Sequence, residues 1–503
     1  MHEQLDELAA FAAAVVADGI RHVVLLGMGG SSLAPEVFQR TFGHAAGYPE
    51  LLVLDSTHPA AVRAIEARIG LRDTLFVVSS KSGTTTETLS LFRYFWHRVG
   101  AVTDAPGRHV VAITDPGTPL ERLARERGFR RTCLAPPDVG GRYAALTVFG
   151  LVPAALIGMD VHRLLDRVWT MAEACAFCIP APVNACLALG AALGELALAG
   201  RNKVTFLASR SLAALPDWIE QLIAESTGKD GRGIVPVVGE PLGTLDVYGA
   251  DRVFALLLLE QDDDCGELDG CIGRLQEHGH PVVSIRLSEK TDLGQEFFRW
   301  EVAVAAAGAV LGIHPFNQPD VELAKELARQ VMAQQDPASA RAAGMEKHTL
   351  AGEEGDTVPA ADTGALVRAL RGWTAEARTG DYVALQAYLA PAPETTAALR
   401  RLQVTLRDRL RVATTRGYGP RFLHSTGQLH KGGPNTGLFL QLVDDPGDDL
   451  PIPETTDTFG ALIRAQALGD YLALRRRGRR VLRVDLGRDV PGGLARIAEA
   501  LHA

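Results

Sequence analysis

The residues best suited to chemistry lie in the stretch Ala224 to Gly231, where a single carboxylate follows an apolar segment. Glu225 comes directly after the run Leu215 to Ile223, and Ser226 to Gly228 then favour a turn. A carboxylate held at the end of a helix-like segment, at the mouth of a site, is suited to act as a general base. The alternative interpretation is an exposed glutamate at a helix end.

A second stretch, Ser79 to Thr88, is rich in hydroxyl groups and carries one cation, Lys81. A helix-like run follows it to Phe92, so hydroxyl groups, backbone N–H groups and a helix N-terminus should meet at one point. Ser and Thr also favour helix starts, and plain helix capping is the alternative. Lys81 and the position after a buried strand favour phosphate binding.

Two glycine-containing stretches add further candidates. Gly27 to Ser32 matches a dinucleotide-binding pattern except at Ser32, so a nicotinamide cofactor is only weakly indicated. Its serines are better suited to hydrogen-bonding a sugar or phosphate oxygen, and a plain strand-to-helix turn stays open. In Gly140 to Tyr143, Arg142 carries a permanent charge that suits an anionic transition state. Arg142 could otherwise be an ordinary surface residue.

Together these stretches resemble the glucose-6-phosphate isomerase family, which has the sugar-isomerase (SIS) fold. They occur in that family's order, and Phe316 to Lys325 is similar to its C-terminal catalytic segment. This resemblance covers roughly Gly27 to Lys325. Further along, Gly417 to Lys431 is similar to the isomerase half of bifunctional transaldolase/glucose-6-phosphate isomerase proteins.

The resemblance implies a role for each matching residue. Glu225 is the base, Arg142 stabilises the enediolate, and Lys325 lies beside the ring oxygen. Gln318 is seven residues before Lys325, so both should project from one face of a helix if Pro319 opens it. The residues implied in phosphate binding are Gly30, Ser31, Ser80, Lys81, Ser82 and Thr85.

The chain departs from the family at a histidine. Glucose-6-phosphate isomerases carry a catalytic His downstream of the base, and none occurs here between Glu225 and His278. The candidates that remain are His314, His424 and His430. We expect the donor-rich loop around His424 to fold over an active site, in its own or a neighbouring subunit. The alternative is that His424 and His430 hold the C-terminal region against the core.

The resemblance implies an aldose-ketose isomerase that interconverts glucose 6-phosphate and fructose 6-phosphate through a cis-enediolate, in glycolysis and gluconeogenesis. It implies a small hexose 6-phosphate as the partner, and neither a metal nor a cofactor is expected. One alternative is a related isomerase that also accepts mannose 6-phosphate. Another is a non-catalytic SIS-type sugar-phosphate sensor, which would have lost the base.

The composition narrows the class of protein. The 503 residues carry a net charge of -9, which argues against nucleic acid as a partner. No apolar run is long enough to span a membrane, and the acidic N-terminus is unlike a signal peptide. Six scattered cysteines indicate buried thiols in a reducing compartment. We therefore expect a cytoplasmic protein, and the sequence leaves a homo-oligomer open.

Short apolar runs that alternate with helix-like stretches predict an α/β protein with doubly wound parallel sheets. The Gly30 and Ser80 loops would then lie at the carboxyl ends of neighbouring strands. The predicted units are a first SIS subdomain (1–160), a second SIS subdomain with bridging helices (161–333), a linker or mobile loop (334–364) and a C-terminal α/β region (365–503).

Overall fold

The computed structural model describes residues 2–335 and 357–502. Its strands are β1 His22–Gly27, β2 Glu50–Leu54, β3 Thr74–Ser79, β4 Val110–Thr114, β5 Arg131–Leu134, β6 Lys203–Ala208, β7 Val235–Val237, β8 Arg252–Leu259, β9 Val282–Leu287, β10 Thr357–Pro359, β11 Tyr382–Tyr388, β12 Ala413–Tyr418, β13 Gly437–Val443 and β14 Arg480–Asp485. Its helices are α1 His2–Ala17, α2 Leu33–Phe42, α3 Pro59–Arg68, α4 Thr86–Gly100, α5 Pro119–Glu126, α6 Val148–Leu156, α7 Val161–Ala174, α8 Ala185–Leu198, α9 Leu215–Thr227, α10 Cys265–Glu277, α11 Leu293–Leu311, α12 Glu322–Gln335, α13 Thr363–Ala375, α14 Pro393–Leu410, α15 Gly427–Gly432, α16 Phe459–Arg476 and α17 Val490–His502.

The strands form three parallel sheets, which confirms the predicted α/β class. The first sheet has the order β2-β1-β3-β4-β5, the second β7-β6-β8-β9 and the third β10-β14-β13-β11-β12. Every residue of β3 and of β8 is buried. Burial of a whole strand is typical of parallel sheets, since their crossover helices cover both faces. The continuous apolar runs in the sequence have this cause.

One hydrophobic core joins the first two sheets. It contains Val77 of β3, Leu257 of β8 and Trp300 of α11. Phe297 of α11 lies with its ring centroid 4.6 Å from that of Trp218 on α9. Aromatic contacts of this kind add to the apolar area that they bury. They fix α9, the helix that carries Glu225, between the two sheets.

The C-terminal third, meaning residues 357–502, packs against the second sheet. Ala224 of α9 and Val235 of β7 share a buried cluster with Tyr382 and Phe439 of the third sheet. Part of the predicted linker 334–364 belongs to this unit, because β10 pairs in parallel with β14 and α13 begins at Thr363. Residues 336–356 lie outside the described residues, and the unit boundaries stay a prediction.

Several local predictions differ from the structure. The segment after Pro319 does not open a helix, because α12 begins at Glu322. The expectation of buried thiols is wrong for Cys178, which is exposed, and for Cys175 and Cys265, which are half-buried. Within the described ranges, no helix has the length and apolar composition that crossing a membrane needs.

Candidate active site

A cavity of about 750 Å³ lies where the loops after β1 and β3 meet α9 and the C-terminal third. Of the ten site residues predicted from the sequence, the nine that line it are Gly30, Ser31, Lys81, Ser82, Thr85, Arg142, Glu225, Gln318 and Lys325. Ser80 is the exception, because it is buried behind Thr85 with the two hydroxyl oxygens 2.9 Å apart. The carboxyl ends of parallel strands are the usual ligand position in such folds.

The glycine loop after β1 permits a backbone approach that no other residue could make. Gly29 has a φ of +55°, and a Cβ there would lie 2.5 Å from the carbonyl oxygen of His424. A Cβ on Gly30 would lie 2.1 Å from the carbonyl oxygen of Gly141. The loop is therefore more than a strand-to-helix turn, since it brings Ser31 against the loops that carry Arg142 and His424.

The hydroxyl-rich loop, residues 80–85, lies at the N-terminus of α4. Thr85 occupies the N-cap position but its side chain makes no capping hydrogen bond. The Ser82 hydroxyl instead accepts from the backbone N–H of Thr84 at 3.2 Å. The first N–H groups of α4 consequently remain available to an anion in the cavity. Capping alone does not explain this loop.

Lys81 faces the cavity but already has an anionic partner. Its Nζ lies 2.8 and 2.7 Å from the two carboxylate oxygens of Asp115. The Lys81 Nζ also donates to the carbonyl of Pro136 at 3.3 Å. These contacts fix the ammonium group and share its charge, so backbone N–H groups and hydroxyls must contribute much of any anion binding.

Glu225 and Arg142 form a buried pair on one wall of the cavity. Arg142 Nη1 lies 3.6 Å from Glu225 Oε2, and the side chains are 3% and 11% exposed. Gln221, one turn earlier on α9, donates from Nε2 to Glu225 Oε2 at 3.1 Å. Glu225 is therefore not an exposed glutamate at a helix end, and Arg142 is not an ordinary surface residue.

Arg142 is held by neutral acceptors on several sides. Its Nε donates to the Ser226 hydroxyl at 2.8 Å, and Nη1 donates to Gln318 Oε1 at 3.0 Å. Nη2 donates to the carbonyls of Pro315 and Asn317. The guanidinium thus fixes the segment that carries Gln318, and its own orientation is set before any ligand binds.

Lys229, at the end of the same stretch, has a pKa lowered to about 7, chiefly by burial and then by the charge of Arg142. Its Nζ donates to the carbonyl of His314 at 2.6 Å. Lys229, which does not line the cavity, therefore tethers the loop before Gln318.

The structure distinguishes the three candidate histidines. His424 lines the cavity, and its Nε2 lies 3.0 Å from Glu87 Oε1. His314 is exposed, and its Nδ1 accepts from the N–H of Phe316. His430 is buried away from the cavity with its Nδ1 3.2 Å from the side-chain amide of Gln386. Of the three, only His424 is placed to reach a ligand there.

Glu87 positions the His424 ring. Burial opposes ionisation of Glu87, but the charge of His424 and its hydrogen bond hold the pKa of Glu87 below its ordinary value. Gln466 also donates to Glu87 Oε1 at 2.7 Å, and Thr57 donates to Gln466 at 2.8 Å. The imidazole therefore lies at the end of a chain of hydrogen bonds that joins residues far apart in the sequence.

Sequence reasoning missed the residues that support the site. Glu87 stands inside the hydroxyl-rich stretch, and Gln221 precedes Glu225 by four residues, which places both on one helix face. These two could have been found by spacing. Asp115 and Gln466 carry no local signal, because they meet the site only through the tertiary fold.

The described ranges hold no group of three or more His, Cys, Asp or Glu side chains arranged to bind a metal ion. The side chains that do face the cavity offer three kinds of chemistry. They are a carboxylate beside a fixed guanidinium, an imidazole held by a carboxylate, and a hydroxyl-rich anion loop.

Comparison with known proteins agrees with this geometry. The phosphoglucose isomerase family model matches residues 8–235. The glucose-6-phosphate isomerase of Rubrobacter xylanophilus is 32% identical over 381 residues, which cover 65% of this chain and 85% of that protein. A probable glucose-6-phosphate isomerase of Natronomonas pharaonis is 30% identical over 346 residues, which cover 62% and 78% of the two chains.

Two solved structures are also similar. A hypothetical protein from Thermus thermophilus has a TM-score of 0.60 and 27% identity, with 66% of this chain and 88% of that chain covered. The glucose-6-phosphate isomerase of Chlamydia trachomatis has a TM-score of 0.56 and 20% identity, with 68% and 75% covered, and supports the fold alone. On the extent of the Rubrobacter match, the chain belongs to the phosphoglucose isomerase family.

Proposed function

We propose that this chain is a glucose-6-phosphate isomerase that interconverts glucose 6-phosphate and fructose 6-phosphate through a cis-enediolate. The observation that carries the proposal is the buried Glu225–Arg142 pair in the same cavity as the hydroxyl-rich loop. A base beside a fixed cation is what proton abstraction next to a carbonyl group requires.

The phosphate group of the substrate would bind at the hydroxyl-rich loop. The N-terminus of α4, the hydroxyls of Ser82 and Thr85 and the loop of Gly30 and Ser31 surround this end of the cavity. Ser80 would act through Thr85, to which its hydroxyl is hydrogen-bonded. Backbone N–H groups at a helix N-terminus favour a dianion without any net positive charge on the protein.

Ring opening would be assisted at the other end of the substrate. Lys325 and His424 both line the cavity, and His424 is oriented by Glu87. An imidazole can both accept and donate a proton near neutral pH, so His424 can move a proton between the ring oxygen and the C1 hydroxyl. Lys325, which also bonds Glu322 at 2.9 Å, would stabilise the ring oxygen.

The proton transfer follows on the open-chain sugar. The Glu225 carboxylate takes the proton from C2 of the aldose, and the electrons of that bond form the enediolate. The proton of the C2 hydroxyl moves to the C1 oxygen, and Glu225 then returns its own proton to C1 as the C2 carbonyl forms, giving the ketose. Arg142 would stabilise the oxygen charge that develops between these two steps.

A coupled assay with fructose 6-phosphate tests the proposal, with Glu225→Gln as the variant. We expect wild-type turnover and a loss of roughly 10²- to 10⁴-fold in kcat with little change in substrate binding, because the amide keeps the shape but accepts no proton. Glu195→Gln, at an exposed position on helix α8 outside the cavity, is the control that makes the same change of charge. Near-normal turnover by Glu225→Gln would rule out its role as the base.

The same assay separates the alternatives. An isomerase that also accepts mannose 6-phosphate would turn over both aldoses, whereas a sugar-phosphate sensor would bind ligand with no turnover at all. The contact between Glu225 and Arg142 favours an enzyme over a sensor. A sensor would bind the phosphate group at the hydroxyl-rich loop and would not need this buried pair.

Within the family, we infer that the chain groups with the isomerase half of bifunctional transaldolase/glucose-6-phosphate isomerase proteins. The inference rests on the similarity of residues 417–431, which supply His424 to the cavity. A role in glycolysis and gluconeogenesis would place the enzyme in the cytoplasm, and sedimentation would decide whether it forms a homo-oligomer.

A further inference from the structure

A second cavity, of about 600 Å³, lies behind the active site between α2, α9 and the C-terminal third. The turn of residues 421–424 separates the two cavities. Phe422 lines the second cavity, whereas Leu423 and His424 line the first. The volume falls in the range of small-molecule sites.

Most of the charged groups around this second cavity are paired. Arg40 Nη1 lies 3.1 Å from Asp217 Oδ2. Arg421 pairs with Glu36, and it also pairs with Asp55 at 3.1 Å. These two arginines face three carboxylates, Asp217, Glu36 and Asp55, so they leave no net positive charge to attract an anion.

Two further arginines of the wall have no anionic partner within the described residues. Arg416 makes one hydrogen bond, from Nε to Gln403 Oε1 at 3.0 Å, and Arg400 makes no hydrogen bond or ion pair there. Burial, and then the nearby Arg400, lower the pKa of Arg416. Arg400 lies at the exposed rim close to Arg416, and Asp217 and Glu220 offset only part of this lowering, so an anion between the two arginines would stabilise their charges.

The carboxyl group of Glu220 faces the same space. Burial, and then the neighbouring Asp217, raise the pKa of Glu220 to about 8, against the opposing effect of Arg421 and Arg416. At neutral pH the group is therefore mostly protonated and uncharged. The protonated Glu220 carboxyl does not neutralise the positive charges of Arg400 and Arg416, and its O–H can donate a hydrogen bond.

We propose that the second cavity binds a small dianion, such as the phosphate group of a phosphorylated metabolite, between Arg400 and Arg416. Guanidinium groups match the oxygens of such an anion in pairs. The Glu220 carboxyl and the Tyr418 hydroxyl, both in the wall, would contact hydroxyl groups of the ligand. This site is separate from the hydroxyl-rich loop and does not depend on catalysis.

Titration of the full chain with sulfate, followed by calorimetry at pH 7, tests the proposal. Sulfate is expected at two sites, the hydroxyl-rich loop and the second cavity. Arg400→Gln and Arg416→Gln should each weaken one of them by roughly ten- to hundredfold, since each removes charged hydrogen bonds. Arg401→Gln is the matched control, because Arg401 is exposed on the same helix and does not line the cavity.

If the hydroxyl-rich loop binds no sulfate, the wild type should show a single site that the two arginine variants weaken. The proposed function would then fail while this proposal stands. Wild-type affinity and stoichiometry in both Arg400→Gln and Arg416→Gln would overturn the second site.

The pH dependence provides an independent measurement, because sulfate remains a dianion from pH 6 to pH 10. Ionisation of Glu220 above about pH 8 adds a negative charge, so sulfate binding should weaken, on the order of tenfold by pH 9.5. The other charged or titratable groups of this cavity wall are Glu36, Arg40, Asp217, Glu240, Arg400, Arg416, Tyr418 and Arg421, of which Glu240 is paired with Arg252. Glu220→Gln should remove this pH dependence. An unchanged pH dependence in that variant would overturn the placement of the anion beside Glu220 in the second cavity.

Discussion

At the scale of single residues, the Glu225 carboxylate is positioned by one neutral donor and one cation. Gln221 donates to it directly, whereas Arg142 stands 3.6 Å away and directs its hydrogen bonds to neutral acceptors. A cation held in this way keeps its orientation while charge moves in the substrate. Such fixed charges contribute to catalysis because they need not reorganise during the reaction.

His430 illustrates the opposite use of a titratable group. Burial, together with Lys431 and Arg479, holds the pKa of His430 well below its ordinary value. It packs with ring centroids 5.1 Å from Phe439 and accepts from Gln386. The residue is therefore neutral in the folded protein, and it stabilises the C-terminal third rather than moving protons.

The first prediction concerns this histidine and pH. Because folded His430 stays neutral while the unfolded chain binds a proton below about pH 6.5, acid should favour unfolding. The wild-type free energy of unfolding should fall by up to roughly 1.4 kcal/mol per pH unit from this group below pH 6.5. Urea unfolding at pH 7.5, 6.5 and 5.5 measures the slope, and His430→Gln should remove this part of it. His278→Gln, at an exposed position, should retain the wild-type slope; equal slopes in all three proteins would contradict the prediction.

At the scale of elements, the loops after β1 and β3 and the turn before α15 do most of the positioning. Gly27 of β1 is paired with Ser79 of β3, so the two loops start side by side.

The second prediction concerns the hydroxyl-rich loop. Ser80→Ala combined with Thr85→Ala should weaken 6-phosphosugars and inorganic phosphate alike, by about 1 to 3 kcal/mol, because both ligands use the same donors. Competition by phosphate against fructose 6-phosphate measures this effect, with Thr103→Ala, half-buried after α4 and outside the cavity, as the control. Unchanged competition in the double variant would place the phosphate elsewhere.

The third prediction concerns the turn that carries His424. If His424 assists ring opening, His424→Gln should depress turnover of the cyclic substrate more than proton exchange on an open-chain analogue. Glu87→Gln should also lower turnover of the cyclic substrate more than proton exchange, but by a smaller factor. This variant frees the His424 imidazole from its carboxylate partner without removing the imidazole. His314→Gln is the control at an exposed histidine. Equal losses on both substrates, together with reduced thermal stability, would indicate a purely structural role.

The elements also show what the sequence could and could not predict. β1 and β3 were predictable because burial on both faces makes them continuous apolar runs. β11 and β12 are harder to recognise in the sequence, since β11 contains Gln386 and β12 contains Thr414 and Thr415. These polar side chains are buried with partners supplied by other elements, such as His430 and Glu240. No local pattern reports a partner of that kind.

The same limit applies to the site. Glu225, Arg142 and the hydroxyl-rich loop were predicted because each stretch matches the family locally. The pairing of Glu87 with His424 joins positions 337 residues apart, and spacing cannot reveal it. The sequence narrowed the choice to three histidines, and only the packing of the C-terminal third separates them.

At the scale of the whole molecule, the C-terminal third completes a site whose other residues come from the first two sheets. Gln428 of α15 is the clearest link. Its Nε2 donates to the carbonyl of Gly228 at 2.9 Å and to Asp320 Oδ2 at 2.8 Å, while its Oε1 accepts from the N–H of Asp320 at 2.9 Å. One buried amide thus joins the end of the helix that carries Glu225 to the segment that carries Gln318.

The fourth prediction follows from this link. Gln428→Leu leaves buried donors and acceptors of Gly228 and Asp320 without partners, which should cost about 2 to 5 kcal/mol of stability. It should also lower kcat by roughly tenfold or more, because small displacements of catalytic groups are costly. Gln441→Leu is the matched control, since Gln441 is equally buried but bonds only Ala467 within the C-terminal third. Urea unfolding and the coupled assay should show both variants destabilised and only Gln428→Leu impaired in turnover per folded molecule. Equal turnover per folded molecule in the two variants would mean that Gln428 contributes to stability alone and does not position the catalytic groups.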